Sequence, residues 1–212
     1  MAAQKSVTFC KTGLFLAVTF KEEKMVNQRH TKVRVYMASS LDGYIAGPNH
    51  DLAWLNKDHS RAGDLADDAN FLQFDPFMEQ VGCMLMGRNT YDVLEAMGQW
   101  VYGDVPVLVA TSRAITRPAS PTIKAVSGDI HALIGQAKTL ANGKDVYIDG
   151  GNMIQQALTA SLVDEMTLTY IPVLLAEGVR LFDNLAGHSA LQFTGSASHG
   201  GMLQVSSRLV KE

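Results

Sequence analysis

The stretch VYIDGGNMIQQAL, residues 146–158, has the pattern of a buried strand, a tight polar turn and a helix. Residues 145–148 form a short and mostly apolar run, which is typical of a strand covered on both faces. The turn DGGN (149–152) interrupts this run, and apolar residues then recur at 154, 158 and 162, which is helical spacing. Strands that lead directly into helices are characteristic of α/β proteins with a parallel sheet.

Two segments nearer the amino terminus repeat this order of elements. Residues 83–86 (CMLM) predict a buried strand that ends at the turn GRNT (87–90), and a helix is predicted over 90–97. Residues 105–110 predict another strand, which ends in the polar turn TSR (111–113). The elements predicted before residue 145 are a short strand at Val126, a helix over 130–140 and a turn at Asn142-Gly143.

The two ends of the chain differ from this middle part. At the start, residues 33–40 (VRVYMASS) predict a strand that continues extended to Ala46. Residues 65–81 place apolar side chains at near-helical spacing around Pro76, which predicts helical segments on either side of a break. The C-terminal part predicts a strand over 165–171 and an antiparallel hairpin of residues 191–198 and 202–210, turned at Gly200-Gly201. We therefore expect one α/β domain over residues 32–212, with a mostly parallel sheet and an antiparallel C-terminal edge, after an N-terminal extension at 1–31.

Composition and charge narrow the functional classes. The 212 residues carry 18 Lys and Arg against 21 Asp and Glu, so no global positive field favours nucleic acid or an anionic membrane. The apolar stretch at 13–20 is far shorter than the ~20 residues of a membrane span. Residues 21–24 (KEEK) follow it with no signal-cleavage pattern, and the two cysteines lie in unrelated contexts, which favours a cytoplasmic protein. The six histidines form no close pair, so no metal site is expected.

Three polar turns follow predicted strands, and ligands of open α/β sheets bind where strand carboxyl ends meet helix N-termini. Gly87-Arg88-Asn89-Thr90 combines a glycine that permits close backbone approach with a cation and a hydroxyl group. Thr111-Ser112-Arg113 repeats the hydroxyl and the guanidinium, and Gly150-Gly151-Asn152 opens a helix with small residues. Together the turns predict a site for a phosphorylated dinucleotide. Each turn alone is also explained by ordinary turn chemistry, and the sequence contains no Rossmann or Walker motif.

Two acidic residues near the end of the first strand are candidates for proton transfer. Asp42 lies in an Asp-Gly turn, and Asp51 opens the segment DLAWL (51–55). Asp51 either caps a short helix or faces the cleft, and both readings stay open. Other catalytic patterns are missing, since the sequence has no G-x-S-x-G, H-E-x-x-H or C-x-x-C motif.

A set of ordered motifs resembles the dihydrofolate-reductase-like superfamily, and within it the reductase domain of riboflavin-biosynthesis deaminase-reductases and its stand-alone relatives. The motifs are MASSLDGYIA (37–46), DLAWL (51–55), MLMGRNTYDVL (84–94), LVATSR (108–113), VYIDGGNMIQQAL (146–158) and LVDEMTLTYIPVLLAEGVRLF (162–182). The resemblance covers residues 33–210. It implies a three-layer α/β fold with a central sheet of about eight strands, NADPH as the hydride donor and a homodimer.

The resemblance also implies roles for individual residues. Ala38, Ile45 and Ala46 correspond to the nicotinamide side of the cofactor site, and Ser112 with Arg113 corresponds to the adenosine 2′-phosphate. The other cofactor-binding residues that it implies are Gly87, Arg88, Asn89, Thr90, Thr111, Asp149, Gly150, Gly151, Asn152, Met153 and Ile154. An arginine at each of two turns agrees with a preference for NADPH over NADH.

Departures from the dihydrofolate reductase pattern concern the substrate. Only residues 47–50 separate Ala46 from Asp51, so the loop that covers the nicotinamide in those enzymes is curtailed here. Asp149 stands where they place an apolar residue and resembles the acidic residue of the riboflavin-pathway branch, which favours a polar pyrimidine- or sugar-like substrate. The residues expected to bind substrate are Asp51, Trp54, Leu55, Phe71 and Asp149, with Asp51 and Asp42 as the catalytic candidates. The zinc deaminase signatures of the bifunctional riboflavin enzymes are missing from the sequence.

Two hypotheses about function remain at this stage. The first is an NADPH-dependent reductase that transfers a hydride to a C=N or C=O carbon, with Asp51 or a water molecule that it orients supplying the proton. The second is a catalytically silent nucleotide-binding dimer of the same fold. A dihydrofolate reductase proper is a narrower form of the first hypothesis.

Overall fold

The computed structural model describes residues 30–210 except Ala62, Gln99, Arg117, Ala119 and His188. Almost all of the predicted N-terminal extension, residues 1–29, therefore lies outside the described residues.

One eight-stranded sheet forms the centre of the fold. The strands, in the order in which they lie side by side, are β5 (Ile123–Val126), β4 (Val107–Ala110), β3 (Val81–Gly87), β6 (Asp145–Asp149), β1 (Val33–Ser40), β7 (Glu165–Ile171), β10 (Met202–Leu209) and β9 (Leu191–His199). The first six are mutually parallel, and β10 is antiparallel to both of its neighbours. β2 (Tyr44–Ala46) and β8 (Val179–Arg180) form a separate antiparallel pair. The predicted sheet, with its antiparallel C-terminal edge, is confirmed.

Helices cover both faces of this sheet. They are α1 (Phe74–Met78), α2 (Arg88–Ala96), α3 (Ile130–Ala141) and α4 (Gly151–Thr159). In β3, Cys83 and Leu85 belong to the core cluster with α3 and α4, whereas Met84 and Met86 belong to the cluster with α1 and α2. Successive side chains of a strand point to opposite faces, so an uninterrupted apolar run is what a strand between two helical layers requires. The three-layer fold is confirmed. No helix in the described part of the chain is long and apolar enough to span a membrane.

The prediction of helical segments on both sides of Pro76 is wrong for the upstream side. Only α1 is helical, and Pro76 lies in its first turn, where a backbone N–H would have no partner inside the helix. The residues before it cross to the β9–β10 hairpin, where Asp68 N donates to Ser198 O at 2.8 Å. Leu65, which was expected to lie on a helix face, is 67% exposed. Polar contacts with a distant hairpin therefore determine the conformation of this segment, and the spacing of its apolar residues does not.

The predicted extended run from the first strand to Ala46 is also interrupted. Residues 41–43 form a turn, in which Gly43 has a φ of +88° and its N–H donates to Ser40 O at 3.0 Å. The chain resumes as β2 on the far side of this turn. The turn lets β2 leave the central sheet and pair with β8.

Candidate active site

A cleft of about 740 Å³ opens at the carboxyl ends of β3, β4, β5 and β6, beside the middle of β1. Its volume lies within the range of pockets that bind small molecules and cofactors. Most of the residues predicted from the sequence line it, namely Ala38, Ile45, Ala46, Leu55, Gly87, Arg88, Asn89, Thr90, Thr111, Ser112, Asp149, Gly150, Gly151, Asn152 and Met153. The three polar turns lie 20 or more residues apart in the sequence, and the parallel sheet brings them together in space.

Two helices begin at this cleft without a side-chain cap. α2 follows Gly87 and α4 follows Gly150, and at neither helix does an N-cap side chain accept a hydrogen bond from the first turn. By contrast, α3 is capped in the usual way, because Asp129 Oδ1 accepts from Ala132 N at 2.9 Å. The first turns of α2 and α4 therefore present backbone N–H groups and the positive ends of two helix dipoles to a ligand. This arrangement binds anionic groups such as phosphates.

The turn before α4 packs directly against the first turn of α2. Gly150 has a φ of +90°, and a Cβ atom added to it would collide with Thr90 Oγ1. Gly151 is also tightly enclosed, since an added Cβ would lie 3.3 Å from Arg180 O and from Ile45 Cδ1. Packing therefore excludes a side chain at Gly150 and leaves little room for one at Gly151. Their close approach keeps the two open helix ends at one side of the cleft.

A pair of arginines stands next to these helix ends. Arg88 Nε donates to Asp92 Oδ1 at 2.6 Å, and Arg113 Nη2 lies 3.4 Å from Asp92 Oδ2. Arg88 lines the cleft, whereas the side chain of Arg113 is 63% exposed beside the lining residue Ser112. Both guanidinium groups keep donors that are free to face a phosphate, because each uses only part of its set of five.

A buried acid, Asp149, lies at the floor of the cleft. Asp149 Oδ1 accepts from Gly150 N at 2.7 Å, and Tyr102 OH donates to Asp149 Oδ2 at 3.3 Å. Burial raises the pKa of Asp149 to about 6, and the hydrogen bonds from Gly150 and Tyr102 reduce that effect. Tyr36, Tyr147 and Phe74 line the same region. The carboxyl group at the floor therefore keeps its proton to a higher pH than an exposed aspartate does.

The other two acids singled out from the sequence lie elsewhere. Asp42 is not among the lining residues, and its carboxylate accepts hydrogen bonds from Ser40 Oγ at 2.6 Å, Ala176 N at 2.8 Å and Leu175 N at 3.1 Å. These bonds, chiefly the one from Ser40, lower the pKa of Asp42 to about 2. Asp51 is exposed, and its Oδ1 accepts from Ala53 N at 3.1 Å at the start of a short 3₁₀ turn. Both carboxylates shape local turns, although His50 and Leu52 on either side of Asp51 do line the cleft.

Four further predicted residues do not line the cleft. Arg113 stands just outside it, and Ile154 is fully buried in the core between α4 and the sheet. Trp54 is buried next to His59, whose Nε2 lies 2.9 Å from Trp54 O. Phe71 packs against His199 at the β9–β10 hairpin, with their ring centroids 5.4 Å apart. Of the apolar residues expected to bind substrate, Leu55 lines the cleft, whereas Trp54 and Phe71 do not.

Several lining residues were not singled out from the sequence. They are Tyr36, Met37, His50, Leu52, Phe74, Val93, Leu94, Tyr102, Ala110, Val126, Ser127, Gly128, Leu133, Tyr147, Gln156 and Val179. A signal existed for Ser127 and Gly128, because they form a polar turn directly after the predicted strand at Val126. No local pattern marks Tyr102, which reaches Asp149 from 47 residues away.

Comparisons with known proteins agree with this architecture. The family model described as the RibD C-terminal domain matches residues 31–205. The protein YwjB of Bacillus subtilis (strain 168), which is itself uncharacterized, is 24% identical over 176 residues, covering 82% of this chain and 95% of YwjB.

Solved structures share the fold as well. A protein from Shewanella sp. PV-4, provisionally named a riboflavin biosynthesis protein, superposes with a TM-score of 0.72 at 29% identity, covering 85% of this chain and all of that one. Dihydrofolate reductase from Enterococcus faecalis, in a complex with NADP(H), superposes with a TM-score of 0.56 at 13% identity, covering 85% of this chain and 97% of that one. The latter likeness concerns the fold alone. With the match to the family model over most of its length, this chain belongs to the RibD C-terminal domain family, whose fold is that of dihydrofolate reductase.

Proposed function

We propose that this protein is an NADPH-dependent reductase that transfers a hydride to a C=N or C=O bond of a small pterin-, pyrimidine- or ribosylaminopyrimidine-like substrate. The observation that carries the proposal is the convergence of two uncapped helix N-termini and Arg88 on one cleft. Membership of a reductase family and the dihydrofolate reductase fold support it.

The residues present suit each part of this cofactor. Backbone N–H groups at the starts of α2 and α4 suit the pyrophosphate, because they are fixed in place and carry no side-chain cap. Ser112 and Arg113 suit a 2′-phosphate, since a guanidinium recognises phosphate by paired hydrogen bonds. Ala38, Ile45 and Ala46 offer a small and apolar surface to the nicotinamide. NADPH, when bound, supplies the hydride, and the chain's own contribution is to align cofactor and substrate in the cleft.

The substrate end of the cleft combines aromatic walls with one acid. Tyr36, Phe74 and Tyr102 provide flat surfaces on which a planar heterocycle can pack, and the Asp149 carboxyl group lies between them and the helix ends. A carboxylate in apolar surroundings discriminates strongly in favour of ligands with N–H or O–H groups. This favours a polar heterocycle over a hydrocarbon carbonyl compound as the substrate.

A homodimer, with each subunit carrying its own cleft, is the second part of the proposal. β9 is an edge strand, and residues 191–196 of it are exposed. Phe193 is 73% exposed on this strand, next to the exposed Leu191. Apolar side chains on an unpaired edge are characteristic of a surface that another strand or subunit covers.

The direct test is titration of the purified protein with NADPH and with NADH, followed by nicotinamide fluorescence and by thermal shift. Saturable binding that is selective for NADPH is expected. The next step is to measure NADPH oxidation with dihydrofolate and with a ribosylaminopyrimidine. Binding without turnover of either compound would favour the catalytically silent nucleotide-binding protein, and binding of neither nucleotide would overturn the proposal.

A further inference from the structure

The permanent positive charge of the cleft lies at one place, the start of α2. Among the described residues that line the cleft, Arg88 is the one lysine or arginine. Its guanidinium is held there by Asp92, at 2.6 Å, and by the backbone carbonyl oxygens of residues 113–114. This cation is therefore committed to the end of the cleft where the cofactor phosphates are proposed to bind.

The hydroxyl groups of the aromatic walls are engaged within the protein. Tyr36 OH donates to Leu72 O, and Tyr147 OH donates to Tyr36 O, both at 2.9 Å. Tyr102 OH donates to Asp149 Oδ2 at 3.3 Å. A tyrosine hydroxyl has a single proton to donate. A phosphate or carboxylate group packed against these rings would therefore meet the lone pairs of the three oxygens and not their protons.

Acidic groups near these walls add a repulsive charge. Asp149 lies at the floor, and its pKa of about 6 leaves the carboxyl group ionised at pH 8. The segment 51–72, which supplies the lining residues Leu52 and Leu55, carries five Asp against one Lys and one Arg. A negatively charged group bound here would lose its water shell without gaining a cation, and this costs far more than the burial of a neutral polar group.

We propose that the substrate is an uncharged planar heterocycle, and that the cleft rejects the phosphorylated and carboxylated forms of such compounds. The rings of Tyr36, Phe74 and Tyr102 provide flat surfaces for the heterocycle. Rejection follows from unpaired charge, because a site discriminates against a competitor by leaving its charge without a partner. This inference rests on the proposed function. It narrows the substrate class to a pyrimidine base or nucleoside without phosphate, or a pterin without an acidic tail.

The first test is calorimetric titration of protein saturated with NADP⁺, which occupies the cofactor site without turnover and blocks anion binding at the start of α2. One pair of ligands is a ribosylaminopyrimidine and its 5′-phosphate. The other pair is a methyl-substituted dihydropterin and dihydrofolate, whose tail carries carboxylates. His50 also lines the cleft, so the titrations are run at pH 8, above the range in which histidine ordinarily changes its charge. The neutral compound should bind about 10-fold or more tightly than its charged partner.

The second test changes the charge of the cleft. Leu52→Lys places a cation at a half-buried lining residue, so it should raise the affinity for the 5′-phosphate by about 10-fold and change that for the ribosylaminopyrimidine little. Leu52→Met is the matched control, since methionine has a similar length without the charge, and it should leave the ratio of the two affinities unchanged. Asp149→Asn removes the acid of the floor, so it should also raise the affinity for the 5′-phosphate relative to that for the neutral compound.

The outcomes separate this inference from the proposed function. A charged compound that binds as tightly as its neutral partner in the presence of NADP⁺ would overturn the inference, as would a failure of all four compounds to bind. Failure of NADP⁺ to bind, or failure of a bound neutral compound to oxidise NADPH, would overturn the reductase proposal instead.

Discussion

Arg88 and Arg113 are held side by side by the carboxylate of Asp92. One carboxylate oxygen pairs with Arg88 Nε, and the other pairs with Arg113 Nη2. Arg88 Nη1 also lies within 3.4 Å of the backbone carbonyl oxygens of Arg113 and Ala114. Two cations that would repel each other are thereby kept beside the open N-terminus of α2. The same arrangement connects the turn after β3 with the turn after β4, which are the two turns expected to hold phosphates.

Arg113→Ala should weaken the binding of NADPH by about 10- to 100-fold, because a charge-assisted hydrogen bond to the 2′-phosphate contributes about 1.5–3 kcal/mol. NADH has no 2′-phosphate, so its affinity should change little. Fluorescence titration with both nucleotides checks this. Arg208→Ala is a suitable control, since Arg208 is an exposed arginine of β10 that pairs with Gln192 outside the cleft. An equal loss of affinity for NADPH and NADH would contradict the assignment of Arg113 to the 2′-phosphate.

Gly150→Ala should destabilise the fold by about 1–3 kcal/mol, because alanine is strained at a φ of +90° and its Cβ would collide with Thr90 Oγ1. Binding of NADPH should weaken as well, since the two helix ends would move apart. Gly135→Ala is the matched control. Gly135 lies in α3 with nothing within 4 Å of an added Cβ, so alanine should stabilise the helix by about 0.5–1 kcal/mol. Urea unfolding of the two variants should therefore give shifts of opposite sign.

Asp149 should make the free energy of unfolding depend on pH. Its folded-state pKa of about 6 lies above its ordinary value of 3.8, so the folded protein binds this proton more tightly than the unfolded chain. The contribution of Asp149 to the free energy of unfolding is therefore fully present below about pH 4. It is lost as the pH rises through about 6, and the total loss is roughly 3 kcal/mol. The difference in unfolding free energy between wild type and Asp149→Asn, measured in urea at pH 4 and pH 8, isolates this effect. A difference that is constant with pH would contradict the raised pKa.

Asp42→Asn and Asp51→Asn should behave differently from Asp149→Asn. Asp42 accepts hydrogen bonds from Ser40 and from the backbone at 175–176, so its replacement should lower the thermal unfolding midpoint. Asp51 accepts a single bond from Ala53 N and is exposed, so its replacement should change stability less. Both variants should keep far more turnover than Asp149→Asn, as measured by NADPH oxidation. Turnover that disappears in Asp51→Asn while NADPH still binds would show that Asp51 takes part in the reaction.

Phe193→Glu should shift the protein from dimer to monomer if β9 forms the subunit interface. A charge on the exposed part of an edge strand opposes pairing with a second strand or sheet. Light scattering after size-exclusion chromatography gives the mass directly. Leu65→Glu is a control at another exposed apolar residue, Leu65, and should leave the mass unchanged. A wild-type protein that elutes as a monomer at all concentrations would overturn the proposal of a homodimer.

Much of the fold could be predicted because its signals are local. The apolar run of β3, the glycine that follows it and the spacing of the next helix lie within about 15 residues, and hydrophobic periodicity and turn residues are read at that range. The N-terminal part of the segment 65–81 was predicted wrongly for the opposite reason. Its conformation depends on hydrogen bonds with the hairpin about 130 residues later, in which Asp67 Oδ1 accepts from Gly200 N and Asp68 N donates to Ser198 O, and no local pattern encodes them.

Short segments of the sequence specify which turns carry glycines, hydroxyls and arginines, since these turns directly follow buried strands. Which acid faces the cleft depends on how the chain folds. Asp42, Asp51 and Asp149 look alike as carboxylates near strand ends, yet the direction of each side chain, the order of the strands and the position of Tyr102 bury Asp149 alone at the floor. The contact of Arg88 and Arg113 with Asp92 also depends on the folded sheet, because the parallel pairing of β3 with β4 brings the two turns together. Proton affinity and phosphate recognition depend on burial and on distances between residues far apart in the chain, which only the folded sheet sets.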